Sequence, residues 1–509
     1  MIPARPPAGQ EIPRSRVAIE RNAAAAEATT FDLIIVGGGI YSVMLALEAG
    51  RRGKRSLVLE RDDFGGAASW NHLRTIHGGL RYLQSLDLPR FFESVAERRW
   101  FLANLPVLVR VLPCLMPLYG RGLKRASIMR AALQLNDLLG WRRNRGVGEE
   151  QRLPAGRIVD ACYTRDAFPQ VDRRGLQGSA LWYDAFIPEH QRLLMETLRW
   201  ACSLGAMALN YVEVESLLLH HNQVRGVLAR DRPGGRTFEF RAPVVINAAG
   251  PWCRRLAQRF DQDHPRLFRR RLLLFNVLFK RRALSEYALA LTPRCRPDHT
   301  YFVHNWKRRL LAGTGEVPVP VDEETPSPRP EDIAAFIADI NDAVPELTLR
   351  EQDIEHVYSG TLPARASGDL SGREVILAHG DRQGPVGLFS VSGVKFTTSR
   401  RVAEKTLRRI FPPSRARKIA PPAEALSGRW FFPYDWRLPA DHNLGELKPL
   451  IEEEAVVHLD DLVFRRTGLG ENRQRLAELL PRLRPLFAWN DLRWEQERVR
   501  VTSRSPGPF

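Results

Sequence analysis

The chain has 509 residues, of which 44% are hydrophobic and 26% charged, a composition that predicts roughly two to four structural units. It excludes wholesale disorder and collagen-like or low-complexity scaffolds, and the sequence contains no apolar run of about 18 residues to span a membrane as a helix. The formal net charge is +18, carried by 68 Arg and 8 Lys. Such an excess fits an anionic surface, nucleic acid or acidic substrates, and an Arg bias this strong also fits GC-rich coding. The five Cys, at 114, 162, 202, 253 and 295, show no CxxC spacing. That argues against a zinc site or disulfide framework, predicts no metal, and suits a reducing compartment.

In chain order, residues 1–30 lack apolar periodicity and a signal-type apolar core, and read as a flexible tail; Glu11, Glu20 and Glu27 count against a transit peptide. Order is expected from Phe31. Residues 31–36 form a short apolar, β-branched run, the pattern of a buried parallel strand. Three glycines and a helical stretch, 40–52, follow, then a second buried strand, 56–60, ending on an acid. Further strands are predicted at 211–218, 224–230, 237–240, 244–247, 272–279, 301–304, 309–313 and 386–392. Residues 105–119 are apolar, carry three prolines and read as a loop beside a basic helix. A helix is predicted at 331–342 behind a Pro-rich entry, and another at 396–410; beyond Pro421 the pattern turns helical and charged.

The first βαβ unit carries the clearest chemistry. Gly37 permits a tight turn, Gly39 permits close backbone approach to a pyrophosphate, and the helix opening at Ile40 and Tyr41 presents its N-terminus to phosphate. Ser42 stands where a third glycine is usual and is small enough for close packing. Glu60, 21 residues past Gly39, can accept from both ribose hydroxyls and disfavours a 2′-phosphate; Arg61 follows it. A small-residue loop through Ser69 then runs into His77-Gly78-Gly79, as a backbone skirting a flat ligand would.

From here the chain resembles the FAD-dependent glycerol-3-phosphate dehydrogenases of the D-amino-acid-oxidase-like superfamily. The resemblance is carried, in family order, by residues 36–40, Ile76 to Leu83, Leu181-Trp182-Tyr183-Asp184, Val245 to Trp252, Gly313-Thr314-Gly315-Glu316, Tyr358-Ser359-Gly360 and Leu388 to Arg400. Leu462 to Thr467 extends it into the C-terminal part. It implies an α/β (mixed α+β) architecture: a Rossmann-type FAD-binding domain, an inserted mainly antiparallel substrate sheet, and a helical C-terminal cap. The expected domains are 31–265 with 370–410 for FAD (inserted helices near 90–145), 266–369 for substrate, and 411–509 for the cap. The resemblance further implies that Ala248-Ala249-Gly250 passes near the FAD pyrophosphate or adenosine. It also implies that Gly393, Lys395, Phe396 and Thr397 cover the flavin, with Lys395 stabilising the reduced ring.

The substrate side departs from the family. Leu362 stands where the family carries a phosphate-binding arginine, and Arg365, three residues on, is the candidate replacement. Leu274, Phe275 and Val277 replace a lysine, a glycine and a polar residue, leaving Asn276. His77 and His304 are candidate bases, and Arg81 and Arg74 candidate anion ligands. The expected reaction is hydride transfer from a small secondary alcohol to flavin N5, with electrons passing to quinone or another acceptor. The alternatives are a relative oxidising a hydroxy acid or amine, and a flavin-binding module with degraded catalysis.

The charge sits in two blocks. Residues 266–309 carry 12 basic against 2 acidic residues, and 121–145 carry 7 against 1. In the second block, apolar residues at 128, 129, 132, 135, 138 and 139 fall on helical spacing. That helix either lies in an anionic membrane interface or packs on the core. No nucleic-acid motif accompanies the charge. The resemblance implies a cytoplasmic protein, peripheral on the inner face of the cytoplasmic membrane.

Overall fold

The computed structural model describes residues 17–120, 122–262, 270–319, 326–364, 373–412, 416–422 and 442–503. The first half of the chain runs α1 (Ala23–Glu27), β1 (Leu33–Val36), α2 (Ile40–Gly50), β2 (Ser56–Leu59), β3 (Thr75–Ile76), α3 (Leu80–Gln84), α4 (Leu88–Asn104), β4 (Arg110–Leu118), α5 (Ala126–Leu139), β5 (Arg157–Val159), α6 (Ala161–Ala167), β6 (Gly178–Phe186), α7 (His190–Ser203) and β7 (Met207–Leu209). It continues through β8 (Val212–His220), β9 (Gln223–Asp231), β10 (Thr237–Arg241), β11 (Val245–Asn247), α8 (Cys253–Arg259), β12 (Arg271–Arg282), β13 (Ala288–Leu291), β14 (Tyr301–Trp306) and β15 (Arg309–Val319). Then come α9 (Pro330–Ala343), β16 (Ile354–Pro363), β17 (Val375–Ala378), β18 (Leu388–Ser392), α10 (Ser399–Ile410), α11 (Lys448–Glu453), α12 (Arg473–Leu483) and α13 (Asp491–Ser503).

Two large sheets organise these elements. A six-stranded sheet in the order β17-β18-β11-β1-β2-β7 is parallel except at β17. Its central strands, β1, β2 and β11, are wholly buried, as the unbroken apolar runs predict. Helix α2 fills the space against it, and its Glu48 is fully buried. Arg51 and Arg52 lie 2.5 Å from that carboxylate and Arg400 of α10 lies 3.4 Å away, which ties the first crossover helix to the last. A three-stranded meander, β10-β9-β8, covers one side.

The second sheet has nine strands, β16-β12-β15-β14-β13-β4-β6-β3, with β5 on β6. It therefore draws strands from 75–186 as well as from 271–363, beyond the inserted segment the sequence suggests. Segment 105–119 is not a loop: β4 pairs with β6 from Arg110↔Phe186 to Leu118↔Gly178 and with β13 at Cys114 and Leu115. Pro113 and Pro117, four residues apart, leave their missing N–H groups on one edge of the strand, so the alternation tolerates both.

The N-terminal tail is also more ordered than its composition suggests. From residue 17 the chain is packed: Ile19 is buried, its N–H donates to the Glu453 carbonyl at 2.8 Å, and α1 is capped by the Asn22 side chain. The C-terminal helices enclose their own apolar cluster. They join the nucleotide-binding sheet through buried ion pairs: Arg466 to Asp63 (2.6 and 2.8 Å) and Glu454 to Arg192 (2.7 and 3.0 Å). The Tyr211 hydroxyl donates to Asp461 at 2.6 Å. Among the described residues no helix is long and apolar enough to cross a membrane.

Candidate active site and cofactor cleft

A cavity of about 2020 Å³ runs between the two sheets. One end is built by the βαβ unit. Gly37 (φ +113°) turns the chain so closely over Ala248 that a Cβ would lie 2.7 Å from its carbonyl oxygen. Gly39 caps α2, and Ser69 Oγ accepts from the Ile40 N–H at 2.9 Å. Glu60 accepts from the N–H groups of Gly38 (2.5 Å) and Asp62 (2.9 Å). Burial pushes its carboxyl up to about 7, the charge of Asp62 adding to the rise. Arg61 stacks over Trp252 (4.7 Å), and Ala249 and Gly250 line the cavity beside them. Ala248 itself lies beneath, its N–H donating to Val36 O at 2.9 Å, so it shapes the turn rather than lining the cleft.

The β18–α10 turn forms the next part of the wall. The Tyr41 hydroxyl donates to Lys395 O (2.6 Å) and accepts from Lys395 N (3.1 Å), and a Cβ on Gly393 would lie 1.8 Å from the Tyr41 ring. Tyr41 therefore clamps this turn in place, and burial raises its hydroxyl pKa far above the usual range. Gly393, Lys395, Phe396 and Thr397 all face the cavity, and the His72 ring stacks on Phe396 at 4.2 Å. The glycine cradle, the acid at the end of β2 and this second turn fit an elongated dinucleotide: the close approaches leave backbone, not side chains, along the cleft.

The other end carries the reactive groups. His77 is half-exposed in the cavity; its Nε2 lies 2.9 Å from Thr75 Oγ1 and its Nδ1 3.7 Å from Asp184 Oδ2. Asp184 also accepts from Gly78 N and Arg98 Nη1, both at 2.6 Å. Burial would raise this carboxyl, but the neighbouring His77 ring, the charge of Arg98 and the Gly78 N–H hold it down at about 2. An ionised carboxylate in this position would stabilise a positive charge on the neighbouring imidazole. Gly78 does not line the cavity: a Cβ there would meet Arg98 Nη1 at 1.9 Å, so the glycine makes room for the buried ion pair, and Gly79 (φ +90°) caps α3.

Arg81 and Lys395 face the same space, and neither pairs with a carboxylate among the described residues. The Lys395 ammonium lies 4.1 Å over the Tyr82 ring. Burial, with the charge of Arg81, lowers its pKa to about 8.

Several expected site residues lie elsewhere. His304 is buried outside the cavity, its Nε2 2.9 Å from Leu73 O, and burial drops its pKa to about 4; it is a structural histidine. Arg74 is fully buried, stacked between Trp306 (3.9 Å) and Tyr358 (4.4 Å), outside the lining. Phe275 and Val277 pack against the α9 side of the sheet, because strand alternation turns them away; Leu274, Leu362 and Asn276 face the cavity. Asn276 is held by Asn71 O (2.8 Å) and Thr314 Oγ1 (3.2 Å). Arg365 lies outside the described residues. Tyr82, Trp182 and Phe302 belong to the lining without having been singled out, although Trp182 and Asp184 sit in one of the family-like stretches. Arg465, from the C-terminal part, also reaches the cavity, beside Gly66, with its Nη1 buried and without a hydrogen-bond partner.

A parallel sheet with a glycine turn, an acid at the second strand end and a second sheet closing the cleft define a dinucleotide-dependent oxidoreductase fold. The sequence profile of the FAD dependent oxidoreductase family, DAO, matches residues 32–407, and the chain belongs to that family. It is an FAD-dependent enzyme. A glycerol-3-phosphate dehydrogenase of Synechocystis sp. is 27% identical over 467 residues, 88% of this chain and 82% of the relative. Glycerol-3-phosphate dehydrogenase 1 of Mycobacterium bovis is 30% identical over 401 residues, 76% of this chain and 74% of the relative. Glycerol-3-phosphate dehydrogenase 2 of Mycobacterium tuberculosis is 30% identical, and this chain spans 62% of its length. In fold, the chain is similar to the Bacillus halodurans glycerol-3-phosphate dehydrogenase complexed with FAD (TM-score 0.69, 19% identity, 94% of this chain and 95% of that one). It is also similar to the L-alpha-glycerophosphate oxidase of Mycoplasma pneumoniae (TM-score 0.55, 15% identity, 77% and 98%).

Proposed function

We propose that this enzyme oxidises glycerol 3-phosphate or a close analogue at its secondary alcohol. The observation that carries the reading is the convergence, in one cavity, of an imidazole with a carboxylate behind it (His77 with Asp184) and two cations, Arg81 and Lys395, that pair with no carboxylate among the described residues. The cations bind an anionic group by charge-assisted hydrogen bonds. His77 takes the hydroxyl proton, and Asp184 supports the positive charge that results. FAD, held by the Gly37–Tyr41 turn, Glu60, Ser69, Ala249, Gly250 and residues 393–397, supplies the hydride acceptor. Leu362 removes the arginine found in the family, so in this reading Arg81 and Lys395 carry the anion without it.

A 2-hydroxy acid or amine is the second reading, favoured by the apolar pair Leu274 and Leu362 on the cavity wall. Anaerobic addition of glycerol 3-phosphate to the yellow holoenzyme tests the two: bleaching of the flavin band is the expected result. No bleaching with it, but bleaching with a 2-hydroxy acid or amine, selects the second reading.

The reduced enzyme passes its electrons to a quinone at an anionic membrane surface. This rests on the surface around α5, which buries Met129 and Leu133 but leaves Ile128, Leu135 and Leu138 outward, so the helix both packs on the core and keeps an apolar ridge. Among the described residues, seven of the eleven exposed large apolar side chains fall between Leu86 and Trp141, among basic residues. Co-sedimentation with anionic vesicles at low salt, lost in Leu138→Ser/Trp141→Ser, is the expected behaviour; no sedimentation at low salt removes the membrane.

A further inference from the structure

The cavity does not end at the cation pair. Its volume, about 2020 Å³, is at least twice the roughly 300–1,000 Å³ of an ordinary small-ligand pocket. FAD would take a share of this volume, and beyond His77 the lining continues as an arm toward α5. That arm starts at Phe302, whose ring lies 5.5 Å from His77 and 6.3 Å from Trp182. It then runs between β4 and α5, lined by Met116, Met129, Ala132 and Leu135. Ile128 and Leu135 both line the arm and are 39% exposed, so it opens on the outer apolar face of α5. The end beside His77 thus carries Arg81 and Lys395, which pair with no carboxylate among the described residues, while the wall along α5 is mainly apolar, with Lys124 (Nζ 2.6 Å from Thr292 Oγ1) just before that helix.

We propose that the substrate is an amphiphile: a glycerol 3-phosphate whose C1 oxygen carries an alkyl or acyl chain. This deepens the function proposed above and rests on it. The phosphate sits on Arg81 and Lys395, C2 faces the flavin beside His77, and the chain lies along the arm toward α5. The C2 hydrogen leaves with its electron pair to FAD, the C2 hydroxyl proton passes to His77, and the C2–O bond becomes a carbonyl. The alcohol is oxidised by two electrons and FAD reduced by two, with no further reactant. The chain explains why the arm's mouth lies on an apolar ridge.

The test is anaerobic flavin reduction by the holoenzyme with glycerol 3-phosphate and its 1-O-butyl, 1-O-hexyl and 1-O-octyl ethers, below their micelle concentrations. Expected is a gain in reduction efficiency of roughly fourfold per methylene buried, and loss of that gain in Ala132→Trp, whose retained flavin absorbance reports a folded, loaded protein. Equal efficiency across the series, or a gain that survives Ala132→Trp, overturns the proposal while leaving glycerol 3-phosphate as substrate. Reduction by 2-hydroxydecanoate but by none of the phosphates overturns both.

Discussion

The two ends of the cavity are built in different ways. At the nucleotide end, the glycine turn and the acid come from one local unit, β1–α2–β2, in which Gly37, Gly39 and Glu60 lie within 24 consecutive residues. At the reactive end, His77 follows β3, Asp184 comes from β6, Asn276 from β12, Phe302 from β14 and Lys395 from the turn after β18. A local unit tolerates little change in spacing, whereas the convergent end can lose a residue such as the family's arginine and keep its other groups in place. The nucleotide end should therefore be common to the family, and the reactive end should set what this enzyme oxidises.

The largest expected effect breaks the reactive end directly. His77→Ala should slow flavin reduction about 10²- to 10⁴-fold with FAD still bound; a loss under tenfold, measured by stopped flow, would assign the proton to another group. Next is Asp184→Asn, which leaves the buried Arg98 guanidinium without its carboxylate. It should cost about 3–5 kcal/mol in denaturant unfolding, and an unchanged midpoint would show that the pair contributes nothing net. Because Asp184 is held at about 2 when folded, against about 3.9 when unfolded, its stabilisation is present above the unfolded value. It is lost as pH falls through about 2; the variant should lack that acid-side loss.

Lys395 sharpens the contrast more gently. With its pKa lowered to about 8, its charge is present below that pH and lost above it. The KM for an anionic substrate should therefore rise as pH passes about 8. Lys395→Arg should hold KM flat through that range, and an identical profile in the variant would place the titrating group elsewhere. The smallest effect concerns the nucleotide end. Arg465→Gln removes the one cavity residue supplied by the C-terminal helices among the described residues, and should weaken FAD retention by about tenfold or less on dilution. Unaltered retention would confine those helices to packing.

The nucleotide end was largely legible in the sequence, since glycine turns, buried strands and an acid at fixed spacing depend on local backbone geometry. Most strand positions from 212 to 319 also match the predicted ones, because period-two alternation and apolar runs are local signals, although β13 was not foreseen and β15 runs six residues past its predicted end. The reactive end was legible only in part. His77, Arg81 and Lys395 converge on the cavity, but His304 and Arg74 turn into the protein, and strand alternation removes Phe275 and Val277 from the wall. The proline-bearing β4 read as a loop, because its strand character comes from pairing with β6 and β13 rather than from its own composition.

By itself, then, the sequence determined the class of cofactor cleft, its acid and its glycine turns, because each is a property of a few consecutive residues. Only the tertiary structure decided which histidine faces the cavity and which is a core residue, since a ring's surroundings depend on which distant carbonyl or carboxylate it meets. It also decided that Asp184 and Arg98 stand behind His77, that a cap residue reaches the cofactor cleft, and that an apolar arm joins the reactive end to the exposed face of α5. Those features are made by pairings far apart in the chain, where burial rather than local propensity sets the geometry.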